Sequence, residues 1–449
     1  MSIFVMNKSI FLQMISIALP VSLQALICNS LTMIDQMMIG QLGEQSVASV
    51  ALGGKLFFVL TFALGGLTAV ASIYASQAEG ARESSRHSSV MKITLLYSLV
   101  CVIPFFLVSF FASDFVLSLF TDDKAVRCMG ASYLKIVCVG YFPTIAVMSA
   151  STMLRSTGHA TIPLVAGIIS VILNTALNAV LIFGYFGVSP MGIEGAAYAT
   201  IISRTIEAMI LLIFLEISAH PACLSRSLTT AIENKLAWQF LVTSLPAIGN
   251  EMLWAVGNTL YSMIYGHLGT SELAAMTLTE PVQALSVGLF SGLSASAGII
   301  VGNKLGAEEY DDAYESSWKF LKYCVFGCLV VAVILAVSSF FYVDIYKVTL
   351  EVKKITVNLL HIFCLYFVVK VCNMVCGSGI IRSGGETKYT LFLDVVGTYG
   401  IGIPLGIIAA FVLKMPIQWV YFIISIEEIV RLVFGVRRIK SRKWIRKIH

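Results

Sequence analysis

The chain has 449 residues, of which 58% are hydrophobic and only 12% charged, with a formal net charge of +5 and a mean hydropathy of +0.88. That balance excludes an ordinary soluble domain, because apolar runs of about 20 residues, each enough to cross roughly 30 Å of hydrocarbon as a helix, recur over the whole length. Ten cysteines lie scattered in apolar segments with no Cys-x-x-Cys pair and no histidine cluster at metal spacing, so no disulfide framework, zinc site or bound cofactor is expected.

The opening MSIFVMNKSIFLQMISIALP lacks a small-residue cleavage site and reads as the approach to a retained first helix. Breaking the chain at charge and Gly/Pro clusters predicts twelve spans, near 10–38, 46–78, 89–112, 130–153, 161–184, 194–217, 236–264, 272–302, 317–342, 355–380, 388–412 and 416–436. One set of alternate connections holds Arg82, Arg86, Lys92, Arg155, Arg226, Lys235, Lys304, Lys319, Arg382 and Lys388, and the tail RRIKSRKWIRKIH falls on the same side. The other set holds only Lys124, Arg127, Lys347, Lys353, Lys354 and Lys414. The positive-inside rule therefore places both termini in the cytoplasm of a multi-pass plasma-membrane protein. The basic tail is expected beside anionic membrane lipid, not on nucleic acid.

The two halves repeat. At a constant offset of 226, Leu19/Leu245, Pro20/Pro246, Gly40/Gly266, Gly43/Gly269, Gly66/Gly292 and Gly80/Gly306 coincide without a gap. A second block, LRSTGHAT at 154–161, matches IRSGGETK at 381–388. The expected fold is all-α and integral to the membrane, with twelve transmembrane helices in two pseudo-symmetric six-helix lobes. Six spans per copy give both lobes the same membrane orientation, as in transporters built from parallel repeats. The expected boundaries are an N-terminal lobe over 1–217, a cytoplasmic linker over 218–235, a C-terminal lobe over 236–436 and a basic tail over 437–449.

Ordered motifs carry a family resemblance: Leu-Pro in spans one and seven, MIDQMMIGQLG closing span one, RSTGHATIP before span five, NTALNAVLIFG within it and GIEGAAYATIISR opening span six. Together they resemble the multidrug and toxic compound extrusion transporters over nearly the whole chain. The resemblance implies two lobes around a central cleft, rocking by alternating access and exporting small organic cations in exchange for protons or sodium. A monomer is expected, and no enzymatic activity, since no His-rich, Ser/His/Asp or metal-spaced set appears within the spans. A lipid-linked oligosaccharide flippase of the same broad fold is the alternative. It calls for several cleft arginines to hold pyrophosphate, whereas the central spans hold chiefly Arg204, which Glu207 three residues on can neutralise.

Within the spans, ionisable residues are costly and mark candidate sites. Asp35 lies five residues before Gly40, about 7.5 Å from the helix end. A carboxylate there, matching the acid of span one in the family, can exchange a proton or a sodium ion against a cationic drug. Asn174 and Asn178 share one face of span five and are expected to hold Asp35 and its cation. Where Asn178 stands some relatives carry an acid, so one sodium ligand is lost, which leans the reading toward protons; an interhelical packing bond is the other reading. In the second half Tyr261 replaces the acid at the Asp35 position. Glu251 in span seven and Asp394 in span eleven are candidates for a second coupling site, with Lys370 as a neutralising partner or as half of a locking pair. Trp254, Tyr261 and Glu280 are the candidate substrate contacts in this half.

Overall fold

In the computed structural model of the chain, residues 10–346 and 348–448 are described. The approach before Ile10, Lys347 and the final His449 lie outside the described residues. Among the described residues all regular structure is helical. In chain order the long segments are α1 (Ile10–Gly40), α2 (Glu44–Gly80, with a break at Gly54), α3 (Ser84–Phe111), α4 (Lys124–Ser156), α5 (Thr161–Phe183) and α6 (Gly192–Ile217). They continue with α7 (Asn234–Gly266), α8 (Thr270–Gly306), α9 (Tyr310–Asp344), α10 (Leu350–Ile381), α11 (Thr387–Val412) and α12 (Ile417–Ile424, continued by Ile426–Lys440). By length and composition α1–α5 and α8–α11 can cross a membrane. Of the remaining three, α6 and α7 are comparably long and α12 is broken at Ser425, and all three carry ionisable side chains that recur below. Twelve helices thus stand where twelve spans are expected, and Pro20 and Pro246 are absorbed inside α1 and α7.

Contacts divide the chain into two compact units. The N unit is Leu23–Ser244; the C unit joins the segment ending at Ser22 to everything from Leu245 onward. Each change of unit falls inside a helix, two residues from the proline of α1 or α7. The division differs from the sequence lobes, and local bonds explain why. The connection between the halves is tied to α3: Ser88 Oγ donates to the Pro221 carbonyl, and Lys92 Nζ donates to the carbonyls of Leu228 at 2.9 Å and Thr230 at 2.8 Å. Tyr97 Oη then donates to Ala237, and Phe240 packs against Tyr74, so the start of α7 is built into the N unit.

The start of α1 is built into the C unit in the same way. Ser22 Oγ donates to the carbonyl of Leu289, and the backbone of Ala18 lies directly against Gly292 of α8. A Cβ at Gly292 would overlap the Ala18 carbonyl and Ser22 Oγ, whereas a Cβ at Gly65 would meet nothing within 4 Å. Backbone that cannot yield makes such overpacking costly, by about 1–3 kcal/mol or more. Gly292→Val is therefore expected to lower the melting temperature of the detergent-purified protein. Gly65→Ala, a substitution that favours helix, is expected to leave it unchanged or raise it.

Three histidines meet where the connection between halves leaves α6. His87 Nε2 lies 3.1 Å from Glu79, His220 Nε2 lies 2.9 Å from Thr157 Oγ1, and the His220 ring lies about 6 Å from those of both His87 and His159. The Ala222 N–H donates to His220 Nδ1 at 3.0 Å, so Nδ1 is the unprotonated nitrogen and Nε2–H donates to Thr157. Burial, then the neighbouring His87 and His159, hold His220 down to about 4 from an ordinary 6.5, against the opposing pull of Glu79. A depressed histidine binds protons more readily in the unfolded chain, so stability is full above about pH 6.5 and falls as pH drops toward 4. Thermal melts at about pH 7 and pH 5 are expected to differ by on the order of 2 kcal/mol from this residue. His220→Gln is expected to remove that part of the difference.

The basic tail turns back onto the C unit. Trp444 is fully buried with its indole N–H on the Ile439 carbonyl. Arg438 pairs with Glu386 at 2.6 Å, Arg442 with Asp311 at 2.7 Å and Lys447 with Glu308 at 2.8 Å. These charges expected beside lipid are held by Glu386 and Glu308 of the neighbouring connections and by Asp311 in the first turn of α9, while Arg437, Lys440 and Lys443 stay exposed.

Candidate functional site

In the N unit the site is built by α1, α5 and α6. Helix α5 ends at Gly184, whose left-handed φ of 79° lets the chain reverse, and the Met191 N–H closes the turn on the Leu181 carbonyl at 2.8 Å. The reversal lays α6 along α5, so that Asn174 Nδ2 reaches Ser203 Oγ at 3.3 Å. One turn along α5, Asn178 Nδ2 donates to Asn174 Oδ1 at 3.1 Å and to Asp35 Oδ1 at 2.7 Å. Asn174 and Asn178 are 2% and 1% exposed, and Asp35 is half-buried.

The carboxylate of Asp35 thus meets an amide and no cation: among the described residues no ion pair involves it. Arg204 lies within electrostatic reach, but its guanidinium is paired with Glu207 at 2.9 Å, the internal pair that their spacing suggests. Asn178 Oδ1 is buried and has no hydrogen-bond donor. An acid with a neutral partner and an orphan acceptor beside it is equipped to gain and lose a positive charge. Ser203 escaped sequence reading because a serine in an apolar helix carries no periodic signal; only the α5–α6 reversal gives it a partner.

In the C unit the site is built by α7, α10, α11 and α12. Helix α11 widens to π geometry over Val395–Gly402, a local insertion frequent at functional sites. Its glycines make room: a Cβ at Gly397 would strike the Arg431 side chain, and one at Gly402 would strike Tyr261 and Glu427. Arg431 of α12 lies 3.0 Å from Asp394 and 3.5 Å from Glu427, and donates to Thr398 Oγ1. Tyr261 Oη donates to Glu427 Oε2 at 2.7 Å. Nearby, Arg382 pairs with Glu251 at 3.3 Å, and Asn373 Nδ2 donates to Glu428 at 2.8 Å.

The candidates are therefore brought together unequally. Asp35, Asn174 and Asn178 form one hydrogen-bonded chain. Glu251 and Asp394 lie in one region, but each is engaged by an arginine. The expected partner Lys370 makes no ion pair within 4 Å among the described residues: the long forks of Arg382 and Arg431 reach the two acids instead. Tyr261 is bonded to an acid. Trp254 and Glu280 are exposed on the C unit. Sequence reading passed over Glu427 and Arg431, although EEIVR within the last span, with acid and base four apart, was a readable signal. No three His, Cys, Asp or Glu side chains converge to hold a metal among the described residues.

The MatE family profile matches residues 20–180 and 246–408, two segments that begin at Pro20 and Pro246 in the register of the internal repeat. The chain belongs to the MATE family of transporters. Among its relatives is the Probable multidrug resistance protein YoeA of Bacillus subtilis, 25% identical over 413 residues, covering 90% of this chain and 88% of that protein. Another is the Probable multidrug resistance protein NorM of Burkholderia mallei, 26% identical over 407 residues, covering 88% of this chain and 85% of that one. A crystal structure of MATE in complex with MaL6 superposes with a TM-score of 0.87 at 17% identity, covering 97% of this chain and 98% of that one, which establishes the shared fold. Membership of MATE makes this a multi-pass membrane transporter.

Proposed function

We propose that this MATE transporter exports small organic cations across the plasma membrane, with both termini in the cytoplasm, in exchange for protons taken up at Asp35. The observation that carries the reading is a half-buried carboxylate whose bonded partner is a neutral amide, with no cation paired to it. Such a group stays in the membrane only by binding a positive charge or water, so a drug cation and a proton compete for one place. Loading from outside and release inside then turn competition into exchange. Asn178 supplies no second negative charge beside Asp35, which favours the proton. The names of the relatives support drug export over transfer of a lipid-linked oligosaccharide. The test is ethidium uptake into inverted vesicles under an imposed gradient of protons, lumen acidic, or of sodium, lumen rich. Uptake with protons alone supports the reading; uptake with sodium alone, or with neither, overturns it.

A further inference from the structure

We propose that Asp394 and Glu427, with Arg431 between them, form a second proton-carrying site within the C unit, in which two carboxylates share one exchangeable proton. The inference rests on the proposed function, because a proton-driven exporter gives such a site its cargo.

Charge is the first observation. Asp394 faces Arg431, Arg382 and Glu428; Glu427 faces Arg431, Glu428 and Lys370, with the phenols of Tyr261 and Tyr265 close by. Arg382 is already paired with Glu251. The four acids, Glu251, Asp394, Glu427 and Glu428, thus meet three bases, Arg382, Arg431 and Lys370, and one negative charge is left over among these seven side chains. Glu427 itself is only 5% exposed. A buried uncompensated carboxylate is costly, and uptake of one proton removes the cost.

Space and hydrogen bonding supply the second observation. Arg431 fills the gap between the two acids and lies tight against Gly397, while Tyr261 and Glu427 lie tight against Gly402. A guanidinium already stands where a metal cation would have to go, whereas a proton adds almost no volume. Asn250, 6% exposed, lies beside Asp394, and its buried Oδ1 has no hydrogen-bond donor. The N unit repeats the device, since Asn178 bonds to Asp35 and likewise leaves its Oδ1 orphaned.

The internal repeat explains where the acid went. Tyr261 stands at the position of Asp35 and gives its hydroxyl to Glu427, so the acid has moved from the first helix of the repeat to the last. In the loaded state the proton is bonded to one carboxylate and Arg431 pairs with the other. On release the proton leaves to water, and Arg431 again bridges both.

The experiment counts protons released to a pH indicator when ethidium binds the full-length purified protein, in weakly buffered detergent, with choline or sodium chloride as the salt. Wild type is expected to release protons in both salts. Glu427→Gln and Asp394→Asn are each expected to release half as many, because either acid left alone with Arg431 forms a neutral pair with nothing to exchange. Asp35→Asn is expected to lose the other half. Tyr261→Phe, which removes one hydrogen bond and keeps the ring, is expected to shift the pH midpoint of the release. It also serves as the test if the acid variants do not fold. Wild-type counts from Glu427→Gln or Asp394→Asn, loss in only one of them, or an unmoved midpoint in Tyr261→Phe overturns the shared site and leaves the proposed function standing. No proton release from wild type overturns both.

Discussion

Asp35→Asn is expected to reduce gradient-driven ethidium uptake into inverted vesicles to the level of vesicles lacking the protein. The asparagine keeps the size of the side chain and its capacity to accept from Asn178, so the bonded chain of Asn178, Asn174 and Ser203 has no reason to collapse. It cannot take up a proton or neutralise a drug cation. Structural and coupling roles therefore separate: the variant should melt within about 1 kcal/mol of wild type, as for the loss of one ordinary bond, while transport disappears. Asp35→Glu, which restores the charge one methylene farther out, should restore part of the uptake. Export by Asp35→Asn at the wild-type rate would remove Asp35 from the mechanism.

The second large effect is on stability. Arg431→Leu leaves Asp394 and Glu427 facing each other without the guanidinium that lies 3.0 Å from one and 3.5 Å from the other. Removing one partner from a buried ionic group costs about 3–5 kcal/mol, because uncompensated charge remains in a medium of low polarity. A drop in melting temperature is expected, largest at neutral pH and smaller in acid, where both carboxylates accept protons. Adding Glu427→Gln and Asp394→Asn to Arg431→Leu should recover much of the loss. If the triple variant melts no higher than Arg431→Leu, the ionic network does not stabilise the C unit.

Much of this architecture was legible in the chain. Twelve expected spans met twelve long helices, nine of them long and apolar enough to cross a membrane among the described residues, because the absence of water in the bilayer forces every backbone bond inside a helix. The register of 226 linking Pro20 to Pro246 and Gly66 to Gly292 exposed the duplication, and the family profile starts afresh at the same two prolines. Asp35, Asn174 and Asn178 were also readable: an acid in hydrocarbon is conspicuous, and two amides four residues apart share a helical face.

What the sequence determined by itself, then, is the kind of molecule, the repeat, and an unrepeated acid in its first copy. Local rules of length, spacing and charge suffice for these, since each is a property of one helix in lipid. Only the tertiary structure decided what each acid meets. It gave Asp35 a neutral amide, gave Glu251 and Asp394 arginines from other elements in place of Lys370, and put Tyr261 against Glu427. It also built the start of α7 into the N unit. Such pairings depend on which helix faces which, across more than a hundred residues of chain in most cases, and no periodicity within a single helix records its neighbour.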